Sequence, residues 1–264
     1  MLRAVKRALV RPVAFLRLTH GRRSYREYMR LRELPEHTSE GDEEVELEIA
    51  GLNGRPVRVR AGTADVDTVW DTFIHRYHLP PARVQRRGVH LVWDLGANIG
   101  LTMADMAQRW PDARVVGVEM DAANAALARR NFEPWSERAS IVEAAVWPDD
   151  GEGWYHRWAG ATSAYHLHEP AEADEPQGPV VETLSLDTLL ERSGGGPVGF
   201  VKMDVEGAER ELLRRNTGWA ASVGCIKVEV HGDYTADDCI ADLERLGFAA
   251  RRDRRHDAAV IGVR

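Results

Sequence analysis

Four short stretches carry side chains that could do chemistry together. Asp94 stands in L-V-W-D-L-G-A-N-I-G (91–100), where Gly96 and Gly100 bracket Ala97, Asn98 and Ile99. Glu119 closes R-V-V-G-V-E, 25 positions after Asp94. Lys202, Asp204 and Glu206 lie in K-M-D-V-E, and Glu229 and His231 in E-V-H. Each set ends a short apolar run and is therefore expected at the carboxyl end of a buried strand, where open α/β sheets bind ligands. A turn with glycines admits a ligand close to the backbone, where a Cβ would obstruct it. A carboxylate at the next strand end can accept from both hydroxyls of a ribose. Turn and acid together point to a nucleoside-containing cofactor.

Two such cofactors compete. Nicotinamide dinucleotides use G-x-G-x-x-G, which holds a pyrophosphate on a helix N-terminus. Here the turn reads G-A-N-I-G, and Asn98 stands where a middle glycine would be. S-adenosylmethionine has no phosphate; its ammonium and carboxylate need backbone groups and a nearby acid such as Asp94. The spacing D-x-G-x-x-x-G with a strand-end acid suits it better.

The elements that must position these residues follow from periodicity. From Val89 onward strands and helices alternate, which predicts a mostly parallel sheet with helices on both faces. Strands are expected at 91–95, up to Glu119, at S-I-V-E-A-A-V-W, V-V-E-T-L and G-F-V-K-M-D, and at G-C-I-K-V-E-V-H. F-A-A-R-R-D and A-A-V-I-G-V-R read as a closing antiparallel pair. Residues 148–180 break the alternation and read as a lid-like insertion, with Trp154, Tyr155, Trp158 and Tyr165 as a stacking surface or a cover for the core. Before the sheet, V-E-L-E-I and P-V-R-V-R flank the turn L-N-G-R as a β-hairpin. Val66, Val69, Trp70, Phe73 and Tyr77 form one face of a following helix. The chain thus divides into a basic helical segment with linker (1–44), a hairpin-and-helix cap (45–87) and a main domain (88–264).

Composition narrows the class. With 264 residues, 44% hydrophobic and 29% charged, the chain reads as soluble and globular. A net charge of −7 disfavours nucleic acid as a partner. No apolar run is long enough to span a membrane, and the charged N-terminus lacks a secretory pattern, so a cytoplasmic location is expected. Cys225 and Cys239 show no metal spacing and read as structural thiols. Residues 1–34 are strongly basic, which suits either solvated helices or a peripheral contact with an anionic membrane or a lipid-linked substrate. Oligomeric state is not legible.

The ordered set of motifs resembles the FkbM-type methyltransferases, a branch of the class I S-adenosylmethionine-dependent enzymes. The resemblance rests on D-L-G-A-N-I-G, V-V-G-V-E, N-A-A-L-A-R-R-N, E-A-A-V-W, L-S-L-D-T-L-L, F-V-K-M-D-V-E-G-A-E and E-V-H, and covers about residues 63–264. It implies a Rossmann-like α/β fold with a seven-stranded, mostly parallel sheet and a C-terminal antiparallel hairpin. It also implies methyl transfer to oxygen, often on sugars or polyketide-type natural products. By that resemblance Asp94, Gly96, Ala97, Asn98 and Gly100 line the methionine end, Glu119 holds the ribose, and Met120, Ala144, Ala145 and Val146 flank adenine. Lys202, Asp204 and Glu206 sit where the methyl emerges, with Asp204 also touching the cofactor. Met120-Asp121 replaces the proline commoner after the ribose acid.

An alcohol acceptor must lose a proton to a group within hydrogen-bond reach. Asp204, Glu206, Glu229 and His231 are the candidates. His231 is favoured because an unperturbed imidazole titrates near neutrality, with Asp204 orienting acceptor or base. Asp204 and Glu229 could also hold Mg²⁺ or Ca²⁺, but two acids without a defined third ligand leave a divalent metal unfavoured. His166 and His168 read as a loop pair. The rival to an enzyme is a catalytically silent binding or scaffold module on the same fold.

Overall fold

The computed structural model describes residues 17–35, 43–86, 88–157, 165–168 and 178–264. It forms two compact units, one ending at Arg76 and the other beginning at Tyr77. The apolar pattern from Leu2 to Leu16, linker residues 36–42, Trp158 and the side chains of Tyr165, His166 and His168 lie outside what is described.

In the first unit, helix α1 (Gly21–Glu33) buries Ser24, Tyr28 and Leu31 and exposes Arg22, Arg23 and Arg26. The alternating stretches form strands β1 (Glu44–Glu48) and β2 (Pro56–Arg60), antiparallel, with Val45 opposite Val59 and Leu47 opposite Val57. Asn53 and Gly54 turn with φ of 58° and 80°; a left-handed Asn-Gly pair matches hairpin twist. Helix α2 (Asp65–Trp70) continues into a π-helical turn at Asp71–His75. Among the described residues of the chain, no helix is long and apolar enough to cross a membrane.

The second unit is built on seven strands: β3 (Leu91–Leu95), β4 (Arg114–Glu119), β5 (Ala139–Glu143), β10 (Phe200–Met203), β11 (Cys225–Glu229), β12 (Ala249–Arg252) and β13 (Ala259–Val263). Their order is β12-β13-β11-β10-β3-β4-β5. Neighbours from β11 to β5 run parallel, and β13 is antiparallel to both β11 and β12. All five residues of β3 and all four of β10 are buried, as expected of parallel strands covered on both faces. The chain winds outward from β3 through β4 to β5, then returns to β3's other side as β10. That reversal makes the carboxyl ends of β3 and β10 the switch point where such sheets open a crevice.

Helix starts are set by side-chain caps. Asp121 accepts from the N–H of Asn124 to begin α4 (Ala122–Asn131), after α3 (Leu101–Arg109). Ser185 caps α5 (Leu186–Arg192), and Thr235 with Asp238 forms a capping box for α7 (Ala236–Arg245). A short helix, α6 (Glu209–Arg214), follows β10. Cys225 and Cys239 are buried free thiols, and burial pushes both up to about 12.

One run differs from its sequence reading. S-I-V-E-A-A-V-W is not one strand: β5 ends at Glu143, and β6 (Ala145–Val146) joins a separate four-stranded sheet of order β6-β9-β7-β8. Strand β9 (Val180–Leu184) belongs there too, with β7 (Gly151–Arg157) and β8 (Tyr165–His168) filling what reads as a loop. The break shows in the backbone pairing: Ala145 and Val146 pair with Thr183 and Leu184 of β9, and the N–H of Trp147 donates to the Leu184 carbonyl.

Candidate active site

At the switch point the register sets Lys202 of β10 directly beside Asp94 of β3. Both are almost wholly buried. The Lys202 ammonium lies 3.2 Å from Asp94 Oδ1 and 3.3 Å from Asp204 Oδ2, and donates to the Gly96 carbonyl at 2.8 Å. Burial pulls the lysine down, but the attraction of Asp94, Tyr77 and Asp204 prevails and holds it well above its ordinary range. The Thr102 hydroxyl donates to Asp94 Oδ2. One buried cation thus fastens strand end, glycine turn and the residue after β10.

The turn is a run of left-handed residues. Gly96, Asn98 and Gly100 have φ of 77°, 49° and 76°, and the N–H groups of Gly96 and Ala97 both donate to Val118 at 3.0 Å. Glu119 completes it: Oε2 accepts from the Asn98 N–H at 2.7 Å and Oε1 from the Asp121 N–H at 3.0 Å. Burial pushes this carboxyl up to about 7, although the two N–H donors work against the shift. Beside it, Ala144, Ala145 and Val146 are buried and Met120 is half-buried. Tyr155 of β7 is also buried, its hydroxyl donating to Asp121 at 3.4 Å.

On the other side of the crevice stands a cluster around His231. Its Nδ1 lies 2.8 Å from Glu209 Oε1, and its Nε2 lies 3.7 Å from Asp204, 3.6 Å from Glu206 and 3.9 Å from Glu229. Glu206 is placed by a left-handed backbone, φ 55°, before Gly207 at 117°; such a conformation is uncommon for a residue with a Cβ. Burial and the charge of Asp204 raise Glu206 to about 7 and Glu229 to about 8. Burial lowers His231, but the hydrogen bond and charge of Glu209, with Asp204 and Glu206, raise it to about 9.

The structure therefore brings Lys202, Asp204, Glu206, Glu229 and His231 into one cluster, next to Asp94 and the turn. Glu119, Met120 and Ala144 to Val146 line the β4 side. Three participants were not singled out from the sequence. Glu209, fully buried, holds the histidine and lies in the quoted V-E-G-A-E, where its spacing reads only as a helix start. Tyr77 reads as one of a helix's apolar positions, yet its ring packs 5.9 Å from that of His256 and 6.0 Å from the Lys202 ammonium. His256 sits in the turn before β13, with Nε2 3.7 Å from Glu229; no local pattern marks it.

A parallel sheet closed by this antiparallel pair, with a glycine turn after its first strand and an acid after its second, is the Rossmann-like architecture of class I methyltransferases. The chain belongs to the methyltransferase FkbM domain family, whose profile matches residues 94–249. Among curated proteins it is 38% identical over 60 residues to a tRNA1(Val) (adenine(37)-N6)-methyltransferase of Bacteroides thetaiotaomicron, 22% of this chain and 25% of that one. The namesake from Aeromonas hydrophila is 41% identical over 58 residues, 21% and 25% of the two chains. The chain thus spans about a quarter of the length of these relatives. Among solved structures it is similar to a precorrin-6y C5,15-methyltransferase from Geobacter metallireducens, at TM-score 0.41 and 13% identity over 68% of this chain and 83% of that one. It is also similar to a sugar N-methyltransferase from Streptoalloteichus, at TM-score 0.40 and 14% identity over 69% and 83%.

Proposed function

We propose that this chain is an S-adenosylmethionine-dependent O-methyltransferase acting on a hydroxyl of a small molecule, of the sugar or polyketide type. The observation that carries the reading is the crevice at β3 and β10, where a glycine turn with acceptor groups faces a carboxylate cluster. Its chemistry fits the cofactor: among the described residues Asn98 Oδ1 is a buried acceptor without a hydrogen-bond partner, suited to a cationic N–H donor such as the methionine ammonium. Asp94, Gly96, Ala97 and Gly100 would share that end, Glu119 would take the ribose, and Met120 with Ala144, Ala145 and Val146 the adenine. When bound, S-adenosylmethionine supplies a methyl group on a sulfonium.

The chain's own part is positioning and proton removal. Glu209 orients His231, and the surrounding carboxylates keep the imidazole protonated up to about pH 9. We therefore give His231 the task of orienting and Asp204 that of accepting the hydroxyl proton, with Glu206 and Glu229 to share it onward. A polyanionic acceptor would meet three carboxylates at this rim, so an uncharged hydroxyl compound suits it better than a nucleic acid.

Calorimetric titration with S-adenosylhomocysteine tests the cofactor reading, and absence of binding at high micromolar concentration would sink it. Asp204→Asn is expected to lower kcat by about 10²–10⁴-fold while changing cofactor affinity far less. An unchanged kcat would move the proton acceptor elsewhere.

Glu119 predicts a pH dependence. Its folded-state value of about 7 stands above the ordinary carboxylate value of 4.5, so its effect on the empty protein's stability is favourable below about 4.5 and is lost as pH rises through 7. Ribose hydroxyls need the ionised acceptor, so cofactor affinity runs the opposite way. S-adenosylhomocysteine is expected to bind up to about tenfold more weakly for each pH unit below 7. Glu119→Gln is expected to remove that slope, and a slope surviving the substitution would assign it to another group.

A further inference from the structure

We infer that the strand ends beyond β10 and β11 form a divalent-cation site, with Asp204, Glu206 and His231 as ligands. One oxygen from each carboxylate and one imidazole nitrogen lie within 4.8 Å of one another. His231 Nε2 faces both acids, at 3.7 Å from Asp204 and 3.6 Å from Glu206. Donors around a small cation stand roughly 3 Å apart, so modest side-chain rotation would close the set. The carboxylate of Glu229, 3.9 Å from the same nitrogen, borders it as a further oxygen donor.

The imidazole is prepared for a ligand from behind. Metal-bound histidines commonly donate their other ring nitrogen to a carboxylate, which fixes the ring and raises its basicity. Glu209 does this at 2.8 Å, from a position with no exposed surface. Its carboxylate faces the ring, and among the described residues its second oxygen, Oε2, is buried without a hydrogen-bond partner. Oε1 also accepts from the N–H groups of Val205 and Gly207, both at 3.3 Å, so Oε2 is the buried acceptor left over, separate from the three proposed ligands.

The charge count points the same way. Asp204, Glu206, Glu209 and Glu229 surround one imidazole. The adjacent ammonium of Lys202 is shared with buried Asp94. Excess negative charge in a half-buried crevice is relieved by protons or by a cation. Two oxygens and one nitrogen suit a cation such as Mn²⁺, which on binding displaces the proton from His231 Nε2 while Nδ1–H stays on Glu209. At this position it would polarise an acceptor hydroxyl; that consequence rests on the methyltransferase reading, whereas the binding itself does not.

The test uses the full chain and Mn²⁺ alone, followed by the loss of the free-ion electron paramagnetic resonance signal. Saturable binding, displaced by Mg²⁺, is expected, with Glu209→Gln weakening it by about 10–100-fold and Glu206→Gln by at least as much. No binding at millimolar Mn²⁺ overturns the site, as does binding that both substitutions leave unchanged. Should either variant fail to fold by circular dichroism, the native chain still decides the matter. Bound Mn²⁺ must broaden the His231 ring resonances, and a ring left sharp overturns the proposal. S-adenosylhomocysteine binding is measured in parallel: its binding without Mn²⁺ binding refutes only the cation site, and the reverse refutes only the cofactor reading.

Discussion

Replacing Lys202 with methionine is expected to destabilise the second unit by about 3–5 kcal/mol, the usual result of removing one partner from a buried ion pair. Methionine matches the lysine stem in length and removes only the charge, so cavity formation contributes little. What remains is Asp94, without exposed surface, with a single hydroxyl donor from Thr102. Asp204 and the Gly96 carbonyl lose the same ammonium. The urea midpoint should fall, and product-cofactor binding should be lost along with it because the turn is no longer tied to β10. Adding Asp94→Asn to the methionine variant is expected to recover part of the stability, since a neutral amide is cheaper to bury than a lone carboxylate, but to leave cofactor binding absent. An unchanged midpoint in Lys202→Met would show that the ammonium does not hold these elements together.

The strands carrying this site were legible because parallel strands, buried on both faces, are continuous apolar runs that end abruptly in polar residues. L-V-W-D and F-V-K-M-D announce both the strand and its functional end. The break at Ala144 was not legible. A-A-V-W prolongs the apolar run of β5, and only the pairing of Ala145 and Val146 with β9 and the hydrogen bond of Trp147 to Leu184 reveal that the chain changes sheets. Strands β7 and β8 hid behind glycines and acids for the same reason: β7 pairs with β8 on one side and β9 on the other, outside the main sheet.

Within the site, legibility followed distance along the chain. Asp94, Glu119, Asp204 and Glu229 are marked by their own strands. Tyr77 and His256 reach the crevice from outside the matched segment 94–249, through tertiary packing that leaves no local signature. The protonation of His231 was least legible of all. An isolated imidazole titrates near neutrality, and the rise to about 9 comes from Glu209, Asp204 and Glu206, which the segment after β10 brings to a histidine that follows β11.

Gly96→Ala is expected to abolish cofactor binding and to lower stability by roughly 2–5 kcal/mol, combining a left-handed backbone penalty of about 1–2 kcal/mol with an overpacking cost of about 1–3 kcal/mol. The left-handed φ of 77° disfavours any Cβ, and an ideal Cβ here would lie 1.8 Å from the carbonyl oxygen of Asp204. That oxygen belongs to backbone, so no side-chain rotation relieves the clash. The strand ends must separate, although the Asp204 N–H is bonded to Leu95 and the Gly96 N–H to Val118, both at 3.0 Å. Separation pulls Asp204 from Lys202 and the turn from Glu119, dismantling the donor pocket and the acceptor cluster in one step. Gly195→Ala is the control. Its φ of 67° imposes a similar backbone penalty, but nothing lies within 4 Å of the added methyl, so a loss of about 1–2 kcal/mol with cofactor binding intact is expected. Equal losses in the two variants would reduce the role of Gly96 to backbone conformation. A larger loss at Gly96, accompanied by loss of product-cofactor binding in calorimetry, would identify close approach between β3 and β10 as what holds the crevice in shape.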